Sequence, residues 1–169
     1  MADPTRSIRA ATVSDSSRIA EIYNQSILAR DSTMDTESIG PAEIAGWLEN
    51  QLQGELLCTV SENPGSRVLG WGIVKRYHLR PGYARAAETS LYMDRSLTGQ
   101  GFGSAVQAHL IEHCKAAGFH HLVAKIWAAN DGSIRMHERF GYEVVGVQRE
   151  IGFVDGQWRD VAILQLVLD

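Results

Sequence analysis

The sequence predicts a single α/β domain over residues 1–169, in which helices flank a mixed and mostly antiparallel β-sheet. Strand-like and helical stretches follow one another in the order β-α-α-β-β-β-α-β-α-β-β, which is typical of such a domain. No internal repeat or linker interrupts this order, and a hydrophobic content of 44% in 169 residues is enough to form one core.

The first third of the chain predicts one strand and two helices. Residues 7–12 are strand-like, and Ser14 or Asp15 can cap the helix that follows. The apolar side chains of this helix recur at helical spacing: Ile19, Ile22, Tyr23 and Ile27. A second helix begins at Pro41, because a proline in the first turn loses no intrahelical hydrogen bond. Residues 29–40 are predicted to form a polar loop.

The middle of the chain predicts a hairpin, a central strand and a long helix. Residues 56–61 and 68–77 are strand-like, and the turn sequence Asn63-Pro64-Gly65-Ser66 joins them, so we expect an antiparallel pair. The next strand covers residues 88–94. A glycine-punctuated turn then leads into a helix that ends at Gly118. The inward-facing side chains of this helix are Phe102, Val106, Leu110, Cys114 and Ala117.

The last third predicts a strand, a short helix and a strand pair. Residues 121–127 are strand-like and residues 131–140 helical. Residues 144–153 and 158–168 are predicted to pair around Asp155-Gly156, because this dipeptide favours a tight hairpin turn.

Composition argues against several classes of partner. The formal net charge is −4 without a basic run, which gives no electrostatic basis for binding nucleic acid. No apolar run approaches the roughly 18 residues of a membrane span, so we expect a cytosolic protein with no membrane partner. Cys58 and Cys114 lie in apolar stretches without C-x-x-C spacing, which predicts buried thiols in a reducing compartment. Neither the cysteines nor the histidines have the spacing of metal ligands.

Gly99, Gly101 and Gly103 stand where a strand passes into a helix, a place where free backbone N–H groups and the helix dipole favour a phosphate. Three close glycines also fit a plain tight turn. A dinucleotide fingerprint starting at Gly99 or Gly101 needs a glycine at position 104 or 106, where the chain has Ser104 and Val106. A P-loop needs a Gly-Lys pair, which this sequence lacks. Both nucleotide-binding motifs are therefore excluded.

Three blocks in the C-terminal half resemble one known family. The turn Thr98-Gly99-Gln100-Gly101-Phe102-Gly103 resembles the pyrophosphate loop of the GCN5-related N-acetyltransferase (GNAT) superfamily, although Thr98 replaces the usual opening Gln or Arg. Residues 130–142 (Asn-Asp-Gly-Ser-Ile-Arg-Met-His-Glu-Arg-Phe-Gly-Tyr) and 152–161 (Gly-Phe-Val-Asp-Gly-Gln-Trp-Arg-Asp-Val) are similar to the branch of phosphinothricin and methionine sulfoximine acetyltransferases. The resemblance implies the GNAT fold and an acetyl-CoA dependent N-acetyltransferase.

The resemblance also implies where acetyl-CoA lies. Its pantetheine arm would enter a V-shaped opening between the strands at residues 88–94 and 121–127, and a main-chain N–H there could stabilise the oxyanion of the reaction. The residues assigned to acetyl-CoA by this resemblance are Leu91, Met93, Thr98, Gly99, Gln100, Gly101, Phe102, Gly103, Ser104, Asn130 and Ser133. No metal is implied.

Two residues are candidates for proton transfer. An ammonium group has no lone pair, so acetylation of an amine requires a base, and the resemblance assigns this role to Glu88, directly or through water. His137 lies four residues after Ser133 on the same helix face, and the resemblance assigns it the protonation of the departing thiolate. A solvated strand-edge carboxylate and a solvated helix histidine are the alternatives.

The loop before Glu88 contains the candidate substrate residues. By resemblance, Arg80 and Tyr83 hold the carboxylate of an amino acid, because an arginine binds a carboxylate through two hydrogen bonds. A solvated surface arginine is the alternative. We therefore expect acetylation of the primary amine of a small amino-acid-like substrate, with phosphinothricin and methionine sulfoximine or sulfone as first candidates.

Several positions depart from the pattern of phosphinothricin-acetylating relatives. Val154 and Asp155 replace lysine and histidine in the last hairpin, and Ala86 replaces a threonine. Met34 and Asp35 replace an aromatic pair in the loop after the first helix. An apolar and an acidic residue provide a poor site for a phosphinate, so these departures put phosphinothricin itself in question.

Other functions stay open at this point. One is an acetyltransferase for protein N-terminal or lysine amines or for polyamines, and another is a non-catalytic CoA-binding module. The resemblance also implies a homodimer in which the final hairpin reaches toward the partner's active site.

Overall fold

The structure, a computed structural model, describes residues 6–169, so residues 1–5 of the predicted domain lie outside the described residues. Its strands are β1 Ser7–Ala10, β2 Leu56–Ser61, β3 Gly70–Arg76, β4 Ala86–Met93, β5 His121–Trp127, β6 Glu143–Val154 and β7 Gln157–Val167. Its helices are α1 Ser16–Ala29, α2 Pro41–Glu49, α3 Phe102–Ala116 and α4 Asp131–Arg139. The predicted order of strands and helices is confirmed.

All seven strands form one sheet in the order β1-β2-β3-β4-β5-β7-β6. Neighbouring strands are antiparallel except β4 and β5, which are parallel. This parallel pair is possible because α3 provides the crossover connection between the two strands. The prediction of a mixed and mostly antiparallel sheet is therefore confirmed.

The turns follow the sequence signals closely, whereas one helix start does not. The Ser66 N–H donates to the Asn63 carbonyl at 3.1 Å, which closes the predicted β2–β3 turn. Asp15 precedes α1, but its carboxylate does not cap that helix. It accepts from the Thr12 N–H at 2.8 Å and pairs with Arg9 at 2.7 Å. The capping prediction is thus wrong for Asp15, because a nearby guanidinium is a stronger partner for a carboxylate than a helix N–H.

Apolar side chains pack on both sides of the sheet, because successive residues of a strand point to opposite faces. On one side, Val106 and Leu110 of α3 join a cluster that includes Cys58 of β2. On the other, Ile19 of α1 joins a cluster that includes Leu57, the neighbour of Cys58. Each such buried aliphatic side chain contributes roughly 1.5–3 kcal/mol relative to exposure.

Both cysteines are free and buried, as the sequence predicts. Burial raises the pKa of the Cys58 and Cys114 thiols to about 12, so neither is a reactive thiolate at neutral pH. None of the helices within residues 6–169 is long and apolar enough to cross a membrane.

Strands β4 and β5 stay together for only part of their length. Their pairing runs from Ala86 with His121 to Glu88 with Val123. Beyond Glu88 the two strands diverge, while β4 continues to pair with β3 as far as Met93. The predicted V-shaped opening is therefore confirmed, and Glu88 stands at its narrow end.

Candidate active site

A small cavity of about 70 Å³ lies where β4 and β5 diverge. Its walls come from both strands and from α4, and its lining residues are Ser32, Thr89, Ser90, Leu91, Tyr92, Ala124, Lys125, Ile126, Asn130, Ser133 and His137. The structure thus brings together Leu91, Asn130, Ser133 and His137, which the sequence assigned to the cofactor side.

The glycine-rich loop has the geometry of an anion site at the start of α3. Gly99 and Gly101 have φ angles of +81° and +82°, a conformation that residues with a side chain rarely adopt. The first α3 hydrogen bond runs from the Ala105 N–H to the Gly101 carbonyl at 3.2 Å, so the preceding N–H groups of the helix are available to a ligand. These groups and the helix dipole fit a pyrophosphate.

Gly103, in the first turn of α3, lies against β4. A β-carbon at this position would lie 3.6 Å from Leu91 Cδ1 and 3.8 Å from Met93 Cγ. The loop therefore adjoins the free edge of β4, as a cofactor spanning both would require. Thr98 directs its hydroxyl to the Arg95 carbonyl at 3.3 Å.

A second cavity, of about 570 Å³, adjoins the first on the sheet face that carries Glu88. Its lining residues are Ser32, Thr33, Met34, Tyr77, Glu88, Ser90, Tyr92, Val123, Lys125, Trp127, Gln148, Ile151, Gly152, Val161 and Ile163. Ser32, Ser90, Tyr92 and Lys125 line both cavities, which places the two side by side.

Glu88 is partly exposed and paired with a lysine. It accepts a hydrogen bond from Lys125 Nζ at 2.8 Å, and the side chains of the two residues are 31% and 46% exposed. The Lys125 ammonium also lies 5.8 Å from the centre of the Tyr77 ring. The carboxylate is therefore half-buried at the wall of the larger cavity, in contact with a cation that a bound amine could replace.

His137 is buried, with 4% of its surface exposed, and is not the solvated histidine of the alternative interpretation. Its Nδ1 donates to the Ser133 carbonyl at 2.8 Å, because a carbonyl can only accept. Burial lowers the pKa of His137, so the neutral ring predominates at neutral pH and Nε2 is an acceptor. The Asn130 side chain caps α4 by accepting from the Ser133 N–H at 3.1 Å, as predicted.

Residues 8–163 match the family model described as acetyltransferase (GNAT) domain. The chain belongs to the GNAT acetyltransferase family. It is 32% identical to the phosphinothricin N-acetyltransferase of Streptomyces coelicolor, over 92% of each chain. It is 29% identical to the L-methionine sulfoximine/L-methionine sulfone acetyltransferase of Pseudomonas aeruginosa, over 96% of this chain and 95% of that one.

Solved structures confirm the GNAT fold. An N-acetyltransferase from Staphylococcus aureus superimposes with a TM-score of 0.91 at 31% identity, covering 97% of this chain and 99% of that one. A GNAT phosphinothricin acetyltransferase from Sinorhizobium meliloti, solved in complex with acetyl-CoA, gives 0.90 at 30% identity, with coverage of 97% and 89%. This GNAT acetyltransferase therefore has both the fold and the family that its sequence predicts.

The two predicted substrate residues share one turn, in which the Tyr83 N–H donates to the Arg80 carbonyl at 2.9 Å, but neither lines the cavity at Glu88. Tyr83 lines a third cavity beside Tyr77, with the two rings 5.6 Å apart. Arg80 is exposed and is not among the residues that line the cavity at Glu88. The carboxylate role of Arg80 and Tyr83 stays a prediction.

The positions that depart from the phosphinothricin pattern lie in different parts of the structure. Met34 lines the cavity at Glu88, whereas Ala86 lines the cavity of Tyr83. Val154 is buried, and Asp155 pairs with Arg30 at 3.0 Å. Neither lines the larger cavity, so within one chain these two departures do not shape the space beside Glu88.

Three further side chains, Arg6, Asp94 and Tyr142, support the site, and they were not assigned to it from the sequence. Arg6 donates from Nη1 to the Gly101 carbonyl and from Nη2 to the Gln100 carbonyl, both at 2.6 Å. Its guanidinium also lies 4.7 Å from the centre of the Phe102 ring. This side chain brings a positive charge to the loop, at whose start Thr98 replaces the usual Gln or Arg.

Asp94 directly follows β4 and orders the chain that leads to the glycine loop. It accepts from the Ser96 N–H at 3.1 Å and from the Ser96 hydroxyl at 2.8 Å, and it pairs with Arg18 of α1. The Arg18 guanidinium, together with the Ser96 hydrogen bonds, lowers the pKa of Asp94 to about 2. Arg18 also donates to the Val68 carbonyl at 2.9 Å, which ties α1 to the sheet.

Tyr142 is more than the strand aromatic that its position suggests. It precedes β6, is buried, and contacts the His137 ring edge-on at a centroid distance of 5.0 Å. Its hydroxyl accepts from Gln107 Nε2 at 3.0 Å and lies 3.3 Å from Thr89 Oγ1. The residue thereby joins α3 and β4 to the end of α4 and holds His137 in place.

Across residues 6–169, no group of three or more histidine, cysteine, aspartate or glutamate side chains is arranged to hold a metal ion.

Proposed function

We propose that the chain, acting as one catalytic domain over residues 1–169, transfers the acetyl group of acetyl-CoA to the primary amine of a small amino-acid-like substrate. Phosphinothricin and methionine sulfoximine or sulfone are the first candidates, because the similar proteins carry these names. The observation that carries the proposal is the position of Glu88, at the narrow end of the V and in the wall of the adjoining 570 Å³ cavity.

The residues around the V support the binding of acetyl-CoA. The glycine loop offers free N–H groups to the pyrophosphate, and β4 beyond Glu88 offers a backbone edge to the pantetheine amides. Acetyl-CoA supplies the acetyl thioester for the reaction. Asn130 and Ser133 line the same opening, within reach of the arm that β4 would hold.

The proposed mechanism is direct transfer assisted by a general base. Glu88 accepts a proton from the substrate ammonium, directly or through water, so that the nitrogen can attack. A main-chain N–H of β4 near Leu91 or Met93 stabilises the negative charge that develops on the carbonyl oxygen. His137 lines the cofactor side of the opening, where a proton must reach the departing sulfur.

The test combines calorimetric titration with acetyl-CoA and an assay of thiol release on adding methionine sulfone, methionine sulfoximine, phosphinothricin or a polyamine. Glu88→Gln should bind acetyl-CoA normally and lose at least about 100-fold in kcat, because general-base catalysis contributes about that much or more. Glu112→Gln is the matched control, since Glu112 is exposed and pairs with Lys115 across one helical turn.

The outcomes separate the alternatives. Release with amino-acid-like amines alone supports the proposal, whereas release with polyamines or peptides alone would favour the broader amine acetyltransferase. Binding without any release would indicate a non-catalytic CoA-binding module, and an active Glu88→Gln variant would remove Glu88 as the base.

We also infer a homodimer formed through the last hairpin. β6 is an edge strand of twelve residues whose apolar side chains are largely exposed, including Val145, Ile151 and Phe153. Trp158 of β7 is 60% exposed and lies 4.7 Å from Phe153, ring centre to ring centre. A second copy would cover this surface and the free strand edge together. Sedimentation of only an 18.6 kDa species at micromolar concentration would contradict this inference.

A further inference from the structure

The cavity beside Glu88 contains two opposite charges that neutralise each other. Among its fifteen lining residues, Glu88 and Lys125 are the charged ones. Their 2.8 Å contact satisfies both groups in the protein without substrate. The remaining lining residues are mostly apolar or aromatic, so Glu88 and Lys125 are the charged partners that the lining itself offers to a substrate.

The sheet register explains why the two side chains meet. Val123 is the partner of Glu88 across the parallel strands, and Lys125 follows two residues later on the same face of β5. Lys125 is 46% exposed and its ammonium ends a four-carbon stem, so it can leave Glu88 without disturbing the backbone. The face of the Tyr77 ring, 5.8 Å away, offers a nearby alternative contact.

Resting on the proposed function, we propose that Lys125 binds the α-carboxylate of a free α-amino acid. The substrate ammonium takes the place of the Lys125 ammonium on Glu88, and the released Lys125 moves to the substrate carboxylate. One carbon separates these two groups in an α-amino acid. The four charges therefore alternate in sign around a compact ring, from Glu88 through the ammonium and the carboxylate to Lys125.

This arrangement selects a substrate class. A polyamine, a lysine side chain or a peptide N-terminus brings an ammonium to Glu88 without a carboxylate one carbon away. Lys125 would then face a second positive charge without compensation, which disfavours binding. Free α-amino acids with a side chain that suits the apolar walls, such as methionine sulfone, satisfy both charges.

The proposal gives Lys125 the role that the sequence assigned to Arg80. Arg80 does not line the cavity that contains Glu88, whereas Lys125 reaches the carboxylate of Glu88 itself. An alternative for Lys125 is to position Glu88 without contacting substrate, and the two roles predict different kinetics.

The test compares Lys125→Ala with the wild-type enzyme on two substrates, methionine sulfone and its carboxamide, which lacks the negative charge. We expect KM for the free acid to rise about 10- to 100-fold, the range for loss of one hydrogen bond to a charged group. KM for the carboxamide should change less than about threefold, and Lys125→Arg should restore most of the affinity for the acid. Lys115→Ala, at an exposed lysine paired with Glu112, is the matched control.

Circular dichroism establishes that each variant is folded, and calorimetric titration establishes that it still binds acetyl-CoA. Equal losses on the acid and the carboxamide, or a fall in kcat alone, would overturn the proposal in favour of a positioning role. An acid-specific loss in Arg80→Ala but not in Lys125→Ala would overturn it in favour of Arg80. If the wild-type enzyme acetylates neither substrate nor any other amino acid, the proposed function itself fails.

Discussion

His137 donates from Nδ1 to the carbonyl of Ser133, one turn earlier in α4, at 2.8 Å. This bond leaves Nε2 of the neutral ring without a proton, and burial lowers the pKa so that the doubly protonated ring is scarce at neutral pH. Donation of a proton to a thiolate, the role that the family resemblance implies, would need that scarce form. Acceptance of a proton at Nε2 would instead use the neutral ring that predominates.

The pH dependence of kcat follows from this geometry. With saturating acetyl-CoA and amino acid, we expect kcat to hold or rise between pH 6 and 8, because catalysis does not require the charged form of His137. His137→Gln keeps a polar side chain that cannot titrate. Its kcat should therefore depend on pH in the same way as that of the wild type between pH 6 and 8. A fall in kcat between pH 6 and 8 that disappears in His137→Gln would identify His137 as the proton donor.

Arg6 is expected to strengthen the binding of acetyl-CoA. Arg6→Ala removes two hydrogen bonds to the loop carbonyls and a positive charge close to the pyrophosphate site, so the Kd from calorimetry should rise about fivefold, or roughly 1 kcal/mol. Adding Thr98→Arg should recover part of this loss, because it places a cation at the start of the same loop with a residue that the family pattern allows there. Arg67→Ala, at an exposed arginine that pairs loosely with Glu21, is the control. An unchanged Kd in Arg6→Ala would show that Arg6 does not contribute to the binding of acetyl-CoA.

Local sequence signals predicted the fold well, because each depends on a few neighbouring residues. The glycines at 99 and 101 lie in the conformation that favours glycine, and Asn130 caps α4 as its residue type suggests. Strand ends were less accurate. β4 begins at Ala86 instead of position 88, because pairing with β3 and β5 decides where a strand starts.

The sequence predicted the site residues that belong to a local motif. It did not predict contacts between residues that are far apart in the chain. Glu88 and Lys125 are 37 residues apart, and only the register of two parallel strands brings them together. Arg6 reaches a loop 95 residues later. A single sequence contains no signal for such contacts, so family resemblance directed attention to Arg80 and away from Lys125.

Asp94 is expected to stabilise the protein in a pH-dependent way. Its pKa falls from 3.8 to about 2 on folding, so the folded state binds fewer protons than the unfolded state between these values. The stabilisation is complete above about pH 4 and disappears as pH falls through about 2. Asp94→Asn should therefore reduce the free energy of unfolding by about 1–2 kcal/mol at pH 7 and by much less at pH 2.

Urea unfolding of wild type and Asp94→Asn at several pH values measures this effect. Other carboxyl groups titrate in the same range, so the difference between the two proteins is the informative quantity. Asp131→Asn, at an exposed residue in the first turn of α4, provides a carboxylate control. A difference that does not depend on pH would show that Asp94 contributes through its shape and not through its charge.

Trp127 is expected to recognise an oxygen atom on the substrate side chain. Its Nε1 and the Ser32 hydroxyl are buried without a hydrogen-bond partner among residues 6–169, and both residues line the cavity beside Glu88. A sulfone oxygen could accept from either group, and a site built to donate discriminates against substrates that lack an acceptor. Trp127→Phe should thus lower kcat/KM for methionine sulfone about 10-fold while norleucine changes little. Trp47→Phe, in α2 and away from this cavity, is the matched control. Equal losses on both amino acids would mean that Trp127 contributes only apolar contact and does not recognise a side-chain oxygen.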